Sequence, residues 1–112
     1  MIVIVSKYLI PKGYRGMTVF PFVFLKEQNS KNDLILLNHE KIHLRQQLEL
    51  LIIPFFVWYF LEFLIRFLIK KDFKSAYRAI CFEQEAYKNE ANLNYHSERR
   101  LFSFLRYYIK NS

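Results

Sequence analysis

Scarcity narrows the reading of this chain before any motif does. Its 112 residues contain one cysteine, Cys81, so no internal disulfide can form and no cysteine-based zinc site can be built. With only two glycines and three prolines, a loop-rich fold is not expected. Both glycines fall in Pro11-Lys12-Gly13-Tyr14-Arg15-Gly16, a turn signal. Acids are the minority charge, ten against seventeen lysines and arginines, for a net charge of +7. The bases are dispersed, with small clusters only at Lys70-Lys71 and Arg99-Arg100. With no arginine-rich helix and no RNA-binding aromatic signature, nucleic acid is not an expected partner. Met1-Ile2-Val3-Ile4-Val5-Ser6-Lys7 has no basic segment ahead of a long apolar one, so no cleaved signal peptide is expected. No paired-carboxylate cleft or phosphate loop is visible, which leaves glycosidase and phosphatase chemistry without support.

What the chain has in quantity is apolar and aromatic side chains, 53% and 19% of residues. The length suits a single domain over residues 1–112, with a core but no room for a second one. The expected fold class is α+β: a short N-terminal β-hairpin followed by three to four helices, mainly helical. Ile2-Val3-Ile4-Val5 reads as one strand and Met17 to Leu25 as the other, with Pro21 making the second an edge strand or bulging it. Such a hairpin can offer its free edge to an extended peptide or simply cover the helices. Asn29-Ser30-Lys31-Asn32-Asp33 is a loop ending in good N-cap residues, ahead of a first helix over 33–53. In that helix Leu36, Leu37, Leu44, Leu48 and Leu51 suit burial, and Pro54 breaks or kinks the path. Asp72 is a suitable N-cap for a helix over 73–93, and Ser97 for a short last one.

Residues 50–69 form the longest apolar run, interrupted by Glu62 and Arg66 at favourable i, i+4 spacing. Its uncharged part, Leu50 to Leu61, is short for a bilayer span and suits a buried or interfacial helix. Trp58, Tyr59 and the Lys70-Lys71 flank resemble interface anchors. The sequence therefore points to membrane association, integral or peripheral, and otherwise to the cytoplasm, with a central core helix as the plain alternative.

Two of the three histidines sit in Asn38-His39-Glu40-Lys41-Ile42-His43, an H-E-x-x-H pattern inside a helical run. Histidines at i and i+4 share one helix face and can reach one metal ion. Glu40 projects about 100° from His39, as a general base would to hold an activated water. Zinc held by two such histidines takes a third protein ligand and keeps a fourth position for water. The third helix offers Glu83, Glu85 and Glu90. Glu83 falls on a face with Ala76, Ala79, Ile80, Ala86, Tyr87 and Glu90, whereas Glu85 lies nearly opposite. A carboxylate on an alanine-rich apolar face is costly unless neutralised, so Glu83 is the expected ligand and Glu85 the reserve. A buried ion pair of Glu83 with Arg45 or Arg66 is the alternative. Glu90 is either a hydrogen-bond partner of a ligand histidine or a surface acid. His96, Tyr87 and Tyr95 are candidates to steady an oxyanion, though an isolated histidine in a polar stretch is commonly just surface.

His39-Glu40-x-x-His43 followed by Glu83-x-x-Ala86 resembles the gluzincin arrangement of zinc metallopeptidases, in which a glutamate on a later helix is the third ligand. The pattern is similar to those of the membrane-embedded CAAX prenyl peptidases, the related heat-shock membrane protease and phage-regulator peptidases. Phe20-Pro21-Phe22-Val23-Phe24, the stretch from Asn38 to Gln47 and the stretch from Phe82 to Tyr87 also resemble small uncharacterised proteins from the Bacteroidetes. The resemblance implies a minimal zincin-like core, Zn2+ on His39, His43 and Glu83, Glu40 as general base, and a peptide or protein substrate. Tyr87 stands where those families place an Asp or Asn, so the usual carboxylate support of a ligand histidine is altered. Three readings follow: a zinc-dependent metallopeptidase at a membrane, a zinc clasp without catalysis, and a membrane-adjacent helical protein that binds no metal.

Overall fold

The β-branched run Ile2–Val5 forms strand β1 in the computed structural model, which describes residues 1–111. The segment expected as a single strand over 17–25 is two strands, β2 (Gly16–Val19) and β3 (Phe22–Leu25). They pair antiparallel, with Phe20 and the cis-linked Pro21 at the reversal between them. Proline has no N–H to give a ladder, so it occupies the turn here and not a bulged edge. β1 adds to the other side of β3 in parallel, Val3 opposite Val23. The sheet is thus three-stranded, in the order β1-β3-β2, where a two-armed hairpin was expected.

A 3-10 turn over Gln28–Asn32 leads to helix α1, Leu34–Glu49, whose N-cap Asp33 accepts the Leu36 N–H at 3.1 Å. Helix α1 stops short of the expected residue 53 because Leu51 and Ile52 take φ near 61° and 62°. Pro54 is therefore not the breaker. It lies in the first turn of α2 (Ile53–Lys70), where a missing N–H is no loss. Of the apolar positions expected inside, Leu44 is buried and Leu36 and Leu37 are half-buried. Leu48 and Leu51 are exposed, at 48% and 77%. The inward face of α1 is mostly polar: Asn38, His39, Glu40, His43, Gln46 and Gln47.

The third expected helix is also two. Helix α3 (Phe73–Ala79) is capped by Asp72, which accepts the Ser75 N–H at 2.9 Å. Ile80 then turns extended, at ψ 135°, and α4 (Cys81–Asn89) starts afresh. A buried carboxylate marks that break: Glu62 of α2 accepts the Cys81 N–H at 2.9 Å, a negative charge at the positive end of a helix. Ser97 lies inside a short α5 (Tyr95–Glu98) instead of capping a helix, and α6 follows at Phe104–Asn111. The fold class is α+β as expected, with six helices among the described residues where three to four were anticipated.

The main core is aromatic. Phe55, Phe82 and Phe104 are buried with Ile80 and Cys81, and Trp58 lies edge-on to Phe104 at 5.5 Å. Each fully buried phenylalanine contributes roughly 1.5–3 kcal/mol, which fixes α2 against α4 and α6. A second cluster, Val23, Leu25 and Leu44, seats α1 under the sheet. Ile42, Ala86 and Tyr95 join α1 to α4, and Ala86 lets the two helices come close.

Candidate metal centre

The approach of α1 to α4 brings His39, His43 and Glu83 together, all buried. His39 Nε2 is 3.3 Å from His43 Nε2, and each stands 3.2 Å from Glu83 Oε1. Ligand atoms around a tetrahedral zinc at about 2.0–2.1 Å lie roughly 3.3 Å apart. The donor triangle is therefore of a size that could hold a metal ion.

The surrounding groups hold these atoms in place. His39 Nδ1 faces Glu90 Oε2 at 3.0 Å, and His43 Nδ1 faces Gln46 Oε1 at 2.8 Å. In the neutral tautomer that donates Nδ1–H to these oxygens, each Nε2 lone pair would face the centre, available to a metal that displaces the proton. Gln46 is itself fixed, its amide donating to the Phe82 carbonyl at 3.1 Å and to Glu85 at 2.8 Å. On the other side, the Tyr59 hydroxyl of α2 donates to Glu83 Oε2 at 2.7 Å, leaving Oε1 toward the histidines. Tyr87 does not replace the expected Asp or Asn; its ring packs edge-on to His39, centroids 4.5 Å apart. The carboxylate against His39 comes from Glu90 instead.

Electrostatics favour a cation here. Burial opposes charge on His43, but the Glu83 carboxylate outweighs it and raises its pKa to about 9. Burial likewise opposes charge on Glu83, and the two histidines overcome it, holding the acid far below the carboxylate range. The Tyr59 phenol is pushed well above its ordinary value by burial and by Glu83, so it remains a neutral donor.

Glu40 lies across from the triangle, against the sheet. The Thr18 hydroxyl donates to its Oε1 at 2.7 Å, and its Oε2 would stand 3.3 Å from a Cβ at position 16. A side chain at position 16 would crowd this carboxylate and the Phe24 carbonyl oxygen, also 3.3 Å away. β2 is an edge strand: the Lys26 N–H donates to the Arg15 carbonyl, so by alternation the N–H and C=O groups of Gly16 and Thr18 point away from β3. Gln47 closes the far end, donating to the Thr18 carbonyl at 2.8 Å and accepting the Phe20 N–H at 2.7 Å. Two cavities meet at Glu40. One, of about 320 Å³, is bordered by Arg15, Lys74, Arg78 and Tyr87. The other, of about 330 Å³, is bordered by Met17, Phe55, Phe56 and Phe73. Tyr14 and Tyr77 line both.

The remaining candidates lie elsewhere. Glu85, on the far side of α4, is fully buried in an ionic cluster and absent from the triangle. Arg99 donates to it at 2.7 Å and to Glu49 at 2.6 Å, and the Tyr95 hydroxyl donates to it at 2.6 Å. Tyr95 is thereby committed away from Glu40. His96 lines neither cavity, and its Nε2 is buried without a hydrogen-bond partner. Burial and the nearby Lys41, Arg45 and Arg99 hold its pKa below the usual value. Glu83 forms no ion pair with Arg45 or Arg66, and Arg66 bonds Glu62 at 3.3 Å. Sequence reasoning missed Gln46, Tyr59, Thr18 and Tyr77. Gln46 carried a signal, three residues after His43 on the same helix, whereas the others reach the site only through tertiary packing. A comparison of the chain with family models, curated proteins and solved structures finds no match.

Proposed function

We propose that this chain is a small zinc-dependent peptidase of gluzincin-like design, with His39, His43 and Glu83 as the metal ligands. The observation that carries the reading is the buried triangle of donors with Glu40 set against a free strand edge beside it. When bound, zinc supplies a Lewis acid that makes water a nucleophile near neutral pH and polarises a carbonyl. Extended substrate pairs with the outward N–H and C=O groups of Gly16 and the N–H of Thr18, which aligns a peptide bond alongside Glu40. Glu40 takes the proton from the attacking water and passes it to the leaving amine, its carboxylate oriented by Thr18. Tyr77, kept a neutral donor by burial and by Glu83, is the phenol assigned to the developing oxyanion. It takes the role considered above for His96, Tyr87 and Tyr95.

The test is Glu40→Gln. It should retain zinc at the wild-type level and lose about 10²- to 10⁴-fold in hydrolysis of a peptide library. Wild-type turnover by the zinc-loaded variant would end the mechanism. A zinc-loaded wild type that cleaves nothing would favour the non-catalytic clasp, since Glu83 joins α4 to α1 and, through Tyr59, to α2.

A further inference from the structure

Helix α2 is built inside out. Its charged pair, Glu62 and Arg66, is buried, at 3% and 7% exposure, while every exposed position from Ile53 to Ile69 is apolar. At about 100° per residue these positions cover an arc of about 220°, far wider than the single stripe a water-facing helix leaves open. Leu105 and Tyr108 of α6 extend the apolar surface across a groove beside it. Intramembrane ionisable residues follow the same arrangement, turned inward and paired with apolar groups outside.

The distribution of charge says what covers this face. Four of the ten acids, Glu40, Glu62, Glu83 and Glu85, are buried, but among the described residues only Arg66 and Arg99 of the bases are. The exposed surface is therefore more cationic than the net charge suggests. Lys70 and Lys71 stand exposed at the C-terminal end of α2, with Asp72 the one acid next to them in the chain. We infer that α2 lies in the plane of an anionic lipid surface, its apolar arc among the acyl chains and its lysine end at the headgroups.

The helix does not cross that surface. The rest of the molecule packs along its inner side, Phe55 on Phe82 at 4.5 Å near one end and Phe63 on Phe73 at 5.0 Å toward the other. No single described helix is long and apolar enough to cross a membrane, and α1 is bent from α2 by 113°, so the two form no straight span. This is the geometry of an interfacial helix. It holds whether or not the site hydrolyses peptides.

Flotation of the full chain with vesicles tests it, using phosphatidylcholine alone and phosphatidylcholine mixed with phosphatidylglycerol. Wild type should float with the mixed vesicles and less with the neutral ones. Phe60→Glu with Leu64→Glu, both at exposed positions, should reduce binding at least about tenfold with helicity and zinc content unchanged. Lys70→Glu with Lys71→Glu should abolish the preference for the anionic mixture. Wild type remaining unbound with both vesicle types would overturn the inference, as would unchanged flotation of the Phe60/Leu64 variant. So would a lipid-free dimer, seen by analytical ultracentrifugation, that the same two glutamates dissociate, because a second copy would then be the occupant.

Discussion

His39 and His43 could be read from the sequence because helical spacing alone places them one above the other. Glu83 followed from an energetic argument, since a carboxylate among alanines needs a cation, and its partners are indeed the two imidazoles. Glu85, held in reserve as a ligand, is equally buried but is neutralised by Arg99, fourteen residues further along the chain and outside the helix face that was compared. Glu90 was left undecided, and its carboxylate stands 3.0 Å from His39 Nδ1. Support of this kind is worth about 10- to 100-fold in metal affinity. Glu90→Ala should therefore weaken zinc binding by that factor in a chelator competition, with the fold retained. Wild-type affinity in the variant would make Glu90 a spectator.

Among the elements, α1 was found but its faces were misjudged. Leucine periodicity pointed Leu48 and Leu51 inward, yet the site demands that Asn38, Gln46 and Gln47 turn inward to bond α4 and the sheet. Breaks set by tertiary bonds were illegible for a similar reason. The division of the third helix at Ile80 coincides with Glu62, distant in sequence, accepting the Cys81 N–H. The joint between α1, α4 and α5 is ionic, with Arg99 fully buried between Glu49 and Glu85. Removing one member of such a cluster leaves buried charge uncompensated. Arg99→Met should lower stability by about 3–5 kcal/mol in urea unfolding. A loss below about 1 kcal/mol would mean the cluster is solvated and adds no more than a surface pair.

At the scale of the whole molecule, the apolar run that looked ambiguous in sequence is a structural support on one side and an open surface on the other. Tyr59 reaches the metal centre from its inner side, and Phe56 contributes to the apolar half of the cleft. The other half carries Lys74 and Arg78 one helical turn apart, with Glu90 and Glu40 also on its lining, and among the described residues no acid is ion-paired to either base. A peptide added antiparallel to β2 would carry its carboxyl-terminal side into that half. Peptides acidic on that side should show kcat/KM about fivefold above neutral ones, the equivalent of one exposed ion pair. Lys74→Ala with Arg78→Ala should remove the difference, and equal kcat/KM values in wild type would contradict this polarity. All of this chemistry presupposes the metal. The first measurement is accordingly elemental analysis of purified wild type beside Glu83→Ala and Glu85→Ala, prepared identically. The expected result is about one zinc per folded wild-type chain, lost in the Glu83 variant and kept by whatever Glu85 variant remains folded. Wild type that takes up no zinc even on reconstitution, or a folded Glu83→Ala protein that holds zinc as tightly as wild type, would contradict the site.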